Sequence, residues 1–534
     1  MRGMLKNFGP AIVSAITLSF CFPRLHLFYL AWFALVPLLW RVRTLPPLNA
    51  ALHFFIAGFV FHAILLQWLL ANIMWAGGWA VLGQQLMCVA LSLFWAVTGL
   101  VWRWIGERNA RLGGPLTFAL LWVAMEHAQS TLFTGFGWSS LAYSQGPDLW
   151  FLQLASIGTG LFLSFLLALA NALLTESFAS RRPLPILAAV VVCAAAHGSG
   201  FLLLKPTIWR EGNLRIGLFQ SNYSLEMKWD PEYKFETIRN ASEKSLALAD
   251  PHNDNPQAPR PVDLMIWPEA LILADVDDPA VQDLLKRTVR EGRFELFAGA
   301  GRFESGKNYN SALLMRQNGE ITDWYHKIHL APFGEYVPFA KYFPFIDKMV
   351  PSIGDLDAGS EPKVIPVGTA DDGDRKLGPL ICFEVLFAPM ANRLRSDGAD
   401  FLVVITNLAW FGRSTAIPQE LEIARVRAVE TRLPLVHSAN TGIAGVFDAY
   451  GRFRPVNLWA ASGSRLQPLS EDLPLDALIM SRLAGIFGLP NAEPQPLLAA
   501  HRFIPWGVDA LCAALLILAM LIPSSVRPGS ARRD

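Results

Sequence analysis

Charge is scarce in this 534-residue chain: Asp, Glu, Lys and Arg make up 17% of it, against 53% hydrophobic residues. A soluble enzyme of this length needs a more polar surface, so part of the chain is expected in lipid. Positive and negative charges nearly cancel at +1, and no run of Lys or Arg occurs. Binding a phosphate backbone requires a concentrated basic surface, which excludes nucleic acid as a main partner. Cysteine is sparse too. Cys21, Cys88, Cys193 and Cys512 lie in apolar segments and read as small buried hydrophobes, leaving Cys382 as the one cysteine of the polar region. That region can hold no internal disulfide and no cysteine-cluster metal site. No Gly-x-Ser-x-Gly elbow, His-Glu-x-x-His helix or P-loop is present. His326 and His329 have a ligand-like spacing without a surrounding ligand pattern, so neither a metal nor another cofactor is expected.

What is abundant is long apolar runs. A spanning helix needs about 20 apolar residues, and candidates lie near 9–22, 25–40, 50–74, 79–102, 115–129, 150–177, 184–204 and 506–523. Arg2 and Lys6 give the first run the look of a signal peptide, but Phe20 occupies the place before Cys21 where a lipoprotein signal has a small residue. An uncleaved helix is therefore expected. With the N-terminus cytoplasmic, the inner segments carry Arg2, Lys6, Arg41, Arg43, Arg103, Arg108, Arg111, Arg181, Arg182, Arg527, Arg532 and Arg533, and the outer hairpins only Arg24. This asymmetry follows the positive-inside rule, and seven spans then carry the polar region across the membrane. In a Gram-negative cell that side is the periplasm. The aromatic hairpin 129–150 fits either an interfacial belt or a lipid-facing wall beside an active site. Glu126, within a span, must face the bundle or snorkel, as a hydrogen-bonding or a catalytic group. Gly158 and Gly160 suggest close helix packing.

From Leu214 onward, short β-branched runs alternate with amphipathic stretches, the pattern of an α/β sandwich. LRIGLF, DLMIW, ELFAGA, SALLMRQ, LGPLICF, DFLVVIT and LPLVHSA read as strands, and 280–292, 385–396 and 417–432 as helices. The stretch 249–261 is a polar, Pro-rich loop, and 352–376 has the length of a lid. Three reactive residues stand at strand ends: Glu269 after DLMIW, Lys327 after ITDWY and Cys382 at the end of LGPLIC. A thiol needs a base before it attacks, and the developing oxyanion needs positive charge. Glutamate, lysine and cysteine meet both needs without a metal. A glutamate serving as that base would speed the reaction of Cys382 with thiol reagents.

This constellation resembles the nitrilase superfamily, and the whole chain resembles its membrane-bound branch, the apolipoprotein N-acyltransferases. The likeness is carried by MKWDP at Met227–Pro231, IWPEA around Glu269, HLAPFGEYVPF from His329, CFE at Cys382 and NLAWFG at Asn407. It implies a membrane α-helical bundle of about eight transmembrane helices plus an α/β nitrilase-like αββα sandwich. The expected divisions are a seven-helix domain over 1–210, a periplasmic catalytic domain over 211–495, and a last helix with a cytoplasmic tail over 496–534. By the same resemblance Cys382 is the nucleophile, Glu269 the general base and Lys327 the oxyanion's cation. Glu335 and Glu384 are supporting carboxylates, Phe383 lies beside the oxyanion site, and Trp229 shapes the entrance. The implied donor is a membrane phospholipid and the implied acceptor the diacylglyceryl-cysteine amine of an apolipoprotein, handled by a monomer in the inner membrane.

Leu408 stands where the family has Asp, and Phe383 where it commonly has Tyr; 488–506 lacks the family's Thr-x-Tyr and Gly-Asp pattern. Leu408 could be a membrane-dipping tip or a plain structural substitution. The alternatives in function are a membrane-anchored amidase that passes the acyl group to water, a transferase acting on a different amine, and a non-enzymatic assembly or transport protein. The spans lack the paired charges of an ion pathway, and transport would leave the three reactive residues unexplained.

Overall fold

The computed structural model describes residues 2–72, 77–206, 214–224, 227, 230, 232–249, 262–337, 356–368, 375–456, 459–462, 465–468, 483–489 and 514. Trp229 and, apart from residue 514, the apolar run 506–523 lie outside the described residues. The chain divides into two compact units, one formed by Met1–Gln67, Leu82–Leu203 and Ala499–Asp534, the other by Trp68–Val81 and Leu204–Leu498.

The first unit is helical: α1 (Arg2–Ser19), α2 (Val36–Val42), α3 (Pro47–Leu65), α4 (Trp79–Arg108), α5 (Pro115–Thr131), the single turn α6 (Leu149–Leu152), α7 (Ala155–Ser180) and α8 (Pro183–Leu203). Among the described residues four of these, α3, α4, α7 and α8, are long and apolar enough to cross a membrane, and Asn7–Ser19 and Phe28–Val42 are shorter apolar helices. Seven such helices were expected ahead of the polar region, and local breaks account for part of the difference. Residues 25–40 split into a 3-10 turn, Phe28–Trp32, and the short α2. The run 50–74 does not continue as one helix, because α3 stops at Leu65 and Gln67–Asn72 forms a 3-10 turn. Within α7 the backbone leaves helical geometry at Gly158 and Thr159, so this glycine marks a kink. α8 exposes Leu187, Val190, Val191 and Leu202, an apolar surface suited to lipid. Glu126 is a structural anchor: its carboxylate accepts from Trp122 Nε1 (2.9 Å), Ser140 Oγ (2.6 Å) and the Leu141 N–H (2.9 Å). These bonds pin hairpin 129–150, whose Leu141–Ser144 turn is buried.

The second unit contains two mixed sheets. Its strands are β1 (Arg215–Gln220), β2 (Leu264–Ile272), β3 (Glu295–Glu304), β4 (Lys307–Met315), β5 (Ile321–His326), β6 (Ile365–Val367), β7 (Arg375–Ile381), β8 (Phe401–Thr406), β9 (Leu435–Ala439), β10 (Gly445–Phe447), β11 (Phe453–Pro455), β12 (Trp459–Ser462), β13 (Arg465–Pro468) and β14 (Leu483–Gly488). One sheet runs β13-β12-β14-β1-β2-β3-β4-β5 and the other β11-β10-β9-β8-β7-β6. Their centres are parallel, β1-β2-β3 in one and β7-β8-β9 in the other, flanked by antiparallel strands. Parallel strands are covered on both faces and so read as unbroken apolar runs; FLVVIT is buried at every position. Ile216, Leu264, Phe297, Ile381, Val403, Ile405 and Val436 fill the space between the sheets. On the outer face of the first sheet, α9 (Lys234–Ala249) and α10 (Pro279–Gly292) pack through Ile238, Ala241, Val281 and Leu285. α11 (Ala388–Ser396) and α12 (Ala416–Thr431) pack on the second, completing four layers.

Candidate active site

Parallel strands aim their carboxyl ends at one edge of a sheet, and α/β folds use that edge for chemistry. β2 brings Glu269 there and β7 ends just before Cys382. Both positions depart from regular strand geometry. At β2 the register with β3 shifts between Trp267 and Ile272, and Ala270 has φ +50°. Gly299 of β3 permits this bulge, since a Cβ there would lie 2.6 Å from the Pro268 carbonyl and 2.7 Å from Glu269 Cα. Cys382 itself has φ +50°, costly for a residue with a Cβ, and opens the 3-10 turn Cys382–Leu386.

Lys327 follows β5 and is 1% exposed. Its backbone is tied on both sides: its N–H donates to the Asn310 carbonyl and its carbonyl accepts from the Gly359 N–H, each at 2.8 Å. The ammonium lies 2.8 Å from Glu335 Oε2 and 3.5 Å from Glu269 Oε1. Burial alone would lower the lysine's pKa; the charges of Glu335 and then Glu269 outweigh it and hold the ammonium well above its ordinary value. Glu335 also accepts from the Ala331 N–H at 2.7 Å, which fixes the PFGEY turn around the lysine.

The sequence reading missed Asn310. On β4, its amide donates to Glu269 Oε1 at 2.8 Å and to Glu335 Oε1 at 2.7 Å, bridging the two carboxylates. The signal available was weak: an Asn within a strand, where such residues are depleted.

Glu384 is fully buried and does a different job from Glu335. It accepts from Tyr325 Oη (2.9 Å) and from the N–H groups of Ile328 (2.6 Å), His329 (3.3 Å) and Ile381 (2.7 Å). It thereby clips the segment after Lys327 to the end of β7. Burial pushes its carboxyl up to about 7, against the pull of these donors and of Lys327.

Burial, and then the negative charge of Glu269, push the Cys382 thiol well above its ordinary range; Lys327 and a hydrogen bond with the Thr406 side chain act the other way. The resting state is thus a thiol beside a charged lysine. Phe383 packs edge-on against Phe387 (5.5 Å between centroids), which stacks on His329 (3.9 Å). His326 bonds Ser311 Oγ through Nδ1 at 2.7 Å and stacks on Tyr309, so the two histidines lie in separate contacts. Leu408 is 1% exposed, which overturns the membrane-tip reading and leaves a buried structural substitution.

The two-sheet fold is that of a carbon-nitrogen hydrolase, and residues 215–467 match that family. Residues 14–173 match the apolipoprotein N-acyltransferase N-terminal domain. The chain is 36% identical over 472 residues to the apolipoprotein N-acyltransferase of Geobacter metallireducens, covering 84% of this chain and 86% of that protein. It is 31% identical over 464 residues to that of Gloeobacter violaceus, again with 84% and 86% covered. A crystal structure of an amidase from Nesterenkonia sp. aligns at 19% identity with a TM-score of 0.35, over 56% of this chain and 97% of that one. The chain belongs to the apolipoprotein N-acyltransferase family. Family and fold together support an N-acyltransferase role in a membrane protein.

Proposed function

We propose that the chain transfers a fatty acyl group from a membrane phospholipid to an amine through a thioester on Cys382. The observation that carries this reading is a buried lysine held between two carboxylates, with a cysteine in a left-handed backbone conformation at the end of a parallel strand. As the sulfur attacks the ester carbonyl, Glu269 takes the thiol proton. The C–S bond forms, the ester C–O bond breaks, and lysophospholipid leaves with the proton returned by Glu269. Lys327 and the N–H of Phe383 stabilise the oxyanion, and Glu335 holds the lysine in place. An amine then attacks the thioester, Glu269 accepts its proton, and Cys382 departs as a thiol.

The relatives' name, apolipoprotein N-acyltransferase, supports an apolipoprotein amine as acceptor, which this reading takes to be the α-amino group of its N-terminal S-diacylglyceryl-cysteine. The same reading sets a monomer in the inner membrane, with spans within 1–210 and 496–534 and a periplasmic catalytic domain over 211–495. Arrival of both lipid substrates from the bilayer gives the membrane helices a purpose that anchoring alone does not.

Given labelled phospholipid alone, the purified protein is expected to accumulate an acyl adduct on Cys382, stable in mild acid and released by hydroxylamine. A diacylglyceryl lipopeptide should discharge it, with parallel initial-rate lines at several fixed acceptor concentrations. Release of free fatty acid regardless of lipopeptide would make the protein a hydrolase. Intersecting lines with no adduct would remove the nucleophilic role from Cys382. Reporter fusions after Arg302 and after Arg527 should report periplasm and cytoplasm, respectively.

A further inference from the structure

Behind Cys382 lies a second group of buried polar side chains that the transfer chemistry has not used. β7 and β8 are parallel with Ile381 opposite Ile405, so Cys382 and Thr406 leave their strands side by side. The Thr406 side chain acts on the Cys382 thiol from there, favouring its ionised form. Its hydroxyl also donates to Glu420 Oε1 at 3.0 Å. Glu420 projects from α12 and is 3.6 Å, through Oε2, from His437 Nε2. In β8 and β9, Val403, Ile405 and Val436 point into the core between the sheets. By alternation Thr406 and His437 point to the other face, where α12 supplies Glu420. Thr406, Glu420 and His437 are each at most 1% exposed.

The histidine's protonation follows from its partners. Its Nδ1 is 2.8 Å from the Ile443 carbonyl, which can only accept, so Nδ1 carries a hydrogen. Nε2 is buried without a hydrogen-bond partner and faces the Glu420 carboxylate. Were both groups deprotonated there, a nitrogen lone pair would face a carboxylate in a site that excludes water, which is costly. One proton therefore belongs to the pair, either on Nε2 or on Glu420.

We propose that Thr406, Glu420 and His437 form a one-proton relay that matches the charge state of Cys382 during acyl transfer. At rest the proton is on His437, and Thr406 donates to the Glu420 carboxylate. When Glu269 takes the thiol proton, the Thr406 hydroxyl turns to donate to sulfur. The proton then passes from His437 Nε2 to Glu420; the N–H bond breaks as the O–H bond forms, and the pair stays neutral. Collapse to product reverses the motion. Thr406 is the member of the group that stands next to Cys382, and Glu420 and His437 are positioning residues acting through it.

Neighbouring charges leave this role to the pair. On α12, Glu422 is bonded to Arg425 and Arg427 to Glu430. In the 382–386 turn Glu384 is engaged by Tyr325 and three backbone N–H groups. Asn440 of the loop after β9 donates to Asn407 Oδ1 at 2.8 Å, a neutral contact. Glu269 and Lys327 also act on Cys382 through their charges, in opposite directions.

The relay rests on Cys382 being the nucleophile, but it can be tested without turnover. The full-length protein in detergent is alkylated with iodoacetamide across pH, and modification is read on the Cys382 peptide by mass spectrometry. Glu420→Gln removes the nearby anion and should move the midpoint down; His437→Gln strands that anion and should move it up. Each shift should be about one pH unit, roughly tenfold in rate at fixed pH. Thr406→Val should move the midpoint up, and Thr406→Ser should restore the wild-type profile. Shifts of the same sign in Glu420→Gln and His437→Gln, or none, would overturn the relay. If His437→Gln does not fold, Glu420→Gln and the Thr406 pair decide by the same signs. Retention of acyl transfer by Cys382→Ala would instead remove the nucleophile reading, an outcome separate from the alkylation profile.

Discussion

Lys327 is held more closely by Glu335 than by any other carboxylate the structure describes, at 2.8 Å, with both side chains almost wholly buried. In the proposed mechanism this divides the labour: one carboxylate balances the ammonium and the other, Glu269, is left to transfer the proton. Glu335→Gln should push the lysine toward Glu269 and blunt the base. We expect kcat for acyl transfer to fall on the order of 10²-fold with KM for phospholipid little changed. Stability should drop as well, by about 3–5 kcal/mol, because a buried charge loses its partner. An unchanged kcat would leave Glu335 as a purely structural residue.

Asn310 holds Glu269 and Glu335 at a common distance, one hydrogen of its amide to each. Asn310→Leu should lower kcat and cost about 1–3 kcal/mol of stability by leaving two buried acceptors short of a donor. Asn310→Asp should be worse, since it sets a third carboxylate against two others. Rates and melting temperatures of both variants in one detergent would check the order; equal losses would deny the bridging role.

Glu384 gives a pH dependence of stability whose sign is fixed. Its folded-state carboxyl sits at about 7, above the ordinary value of 4.5. The folded protein therefore holds this proton where the unfolded chain has lost it. The contribution is fully present below the ordinary value and is lost as pH rises through about 7. Glu384→Gln should flatten the dependence of melting temperature on pH over that window while lowering stability throughout, since an amide cannot accept from all four donors. A mutant with the same pH slope as the wild type would exclude Glu384 as its source.

The three strand-end residues were legible because chemistry and local pattern coincide: Glu269 and Cys382 stand at the ends of apolar runs buried in parallel strands, and Lys327 directly follows ITDWY. Asn310, Thr406, Glu420 and His437 were not, because their roles depend on register between strands distant in sequence, which periodicity does not encode. β14 illustrates the same limit, pairing with β1 across more than half of the second unit. β5, on which Tyr325 and Lys327 depend, was marked only by Lys327 standing after ITDWY, its ITDWYH run being only partly buried. The apolar run 50–74 misled in the opposite direction. Hydropathy continues past Leu65, but Trp68 Nε1 donates to Gln419 Oε1 at 3.0 Å and its ring meets Phe411 edge-on within the second unit.

Leu408 is buried beside Gly442, in the turn that follows β8, and its N–H donates to the Thr441 carbonyl at 3.2 Å. Leu408→Asp would bury an unpaired charge and should destabilise the domain by several kcal/mol. Turnover of long-chain phospholipid and of a soluble short-chain ester should fall together, in proportion to the folded fraction. A selective loss on the long-chain lipid would restore a membrane-contacting role.

The sharpest separation of roles comes from comparing chemical labelling with turnover. The negative charge of Glu269 is one of the forces that keep the Cys382 thiol protonated, and the Lys327 charge opposes it. Alkylation by a small reagent follows the equilibrium thiolate population, whereas acyl transfer also needs a group to carry the proton. Glu269→Gln should therefore raise the rate of Cys382 alkylation near pH 8, the reverse of what its role as base alone would suggest, while abolishing transfer. Lys327→Met should depress both, because the thiolate and the oxyanion lose the same cation; removing one such stabiliser typically costs on the order of 10²-fold or more in rate. Alkylation read on the Cys382 peptide excludes signal from Cys193, which is also partly exposed. If Glu269→Gln slows alkylation, Glu269 is not holding the thiol protonated through its charge, and the resting state of a neutral thiol beside an ionised carboxylate would have to be replaced by a preformed thiolate.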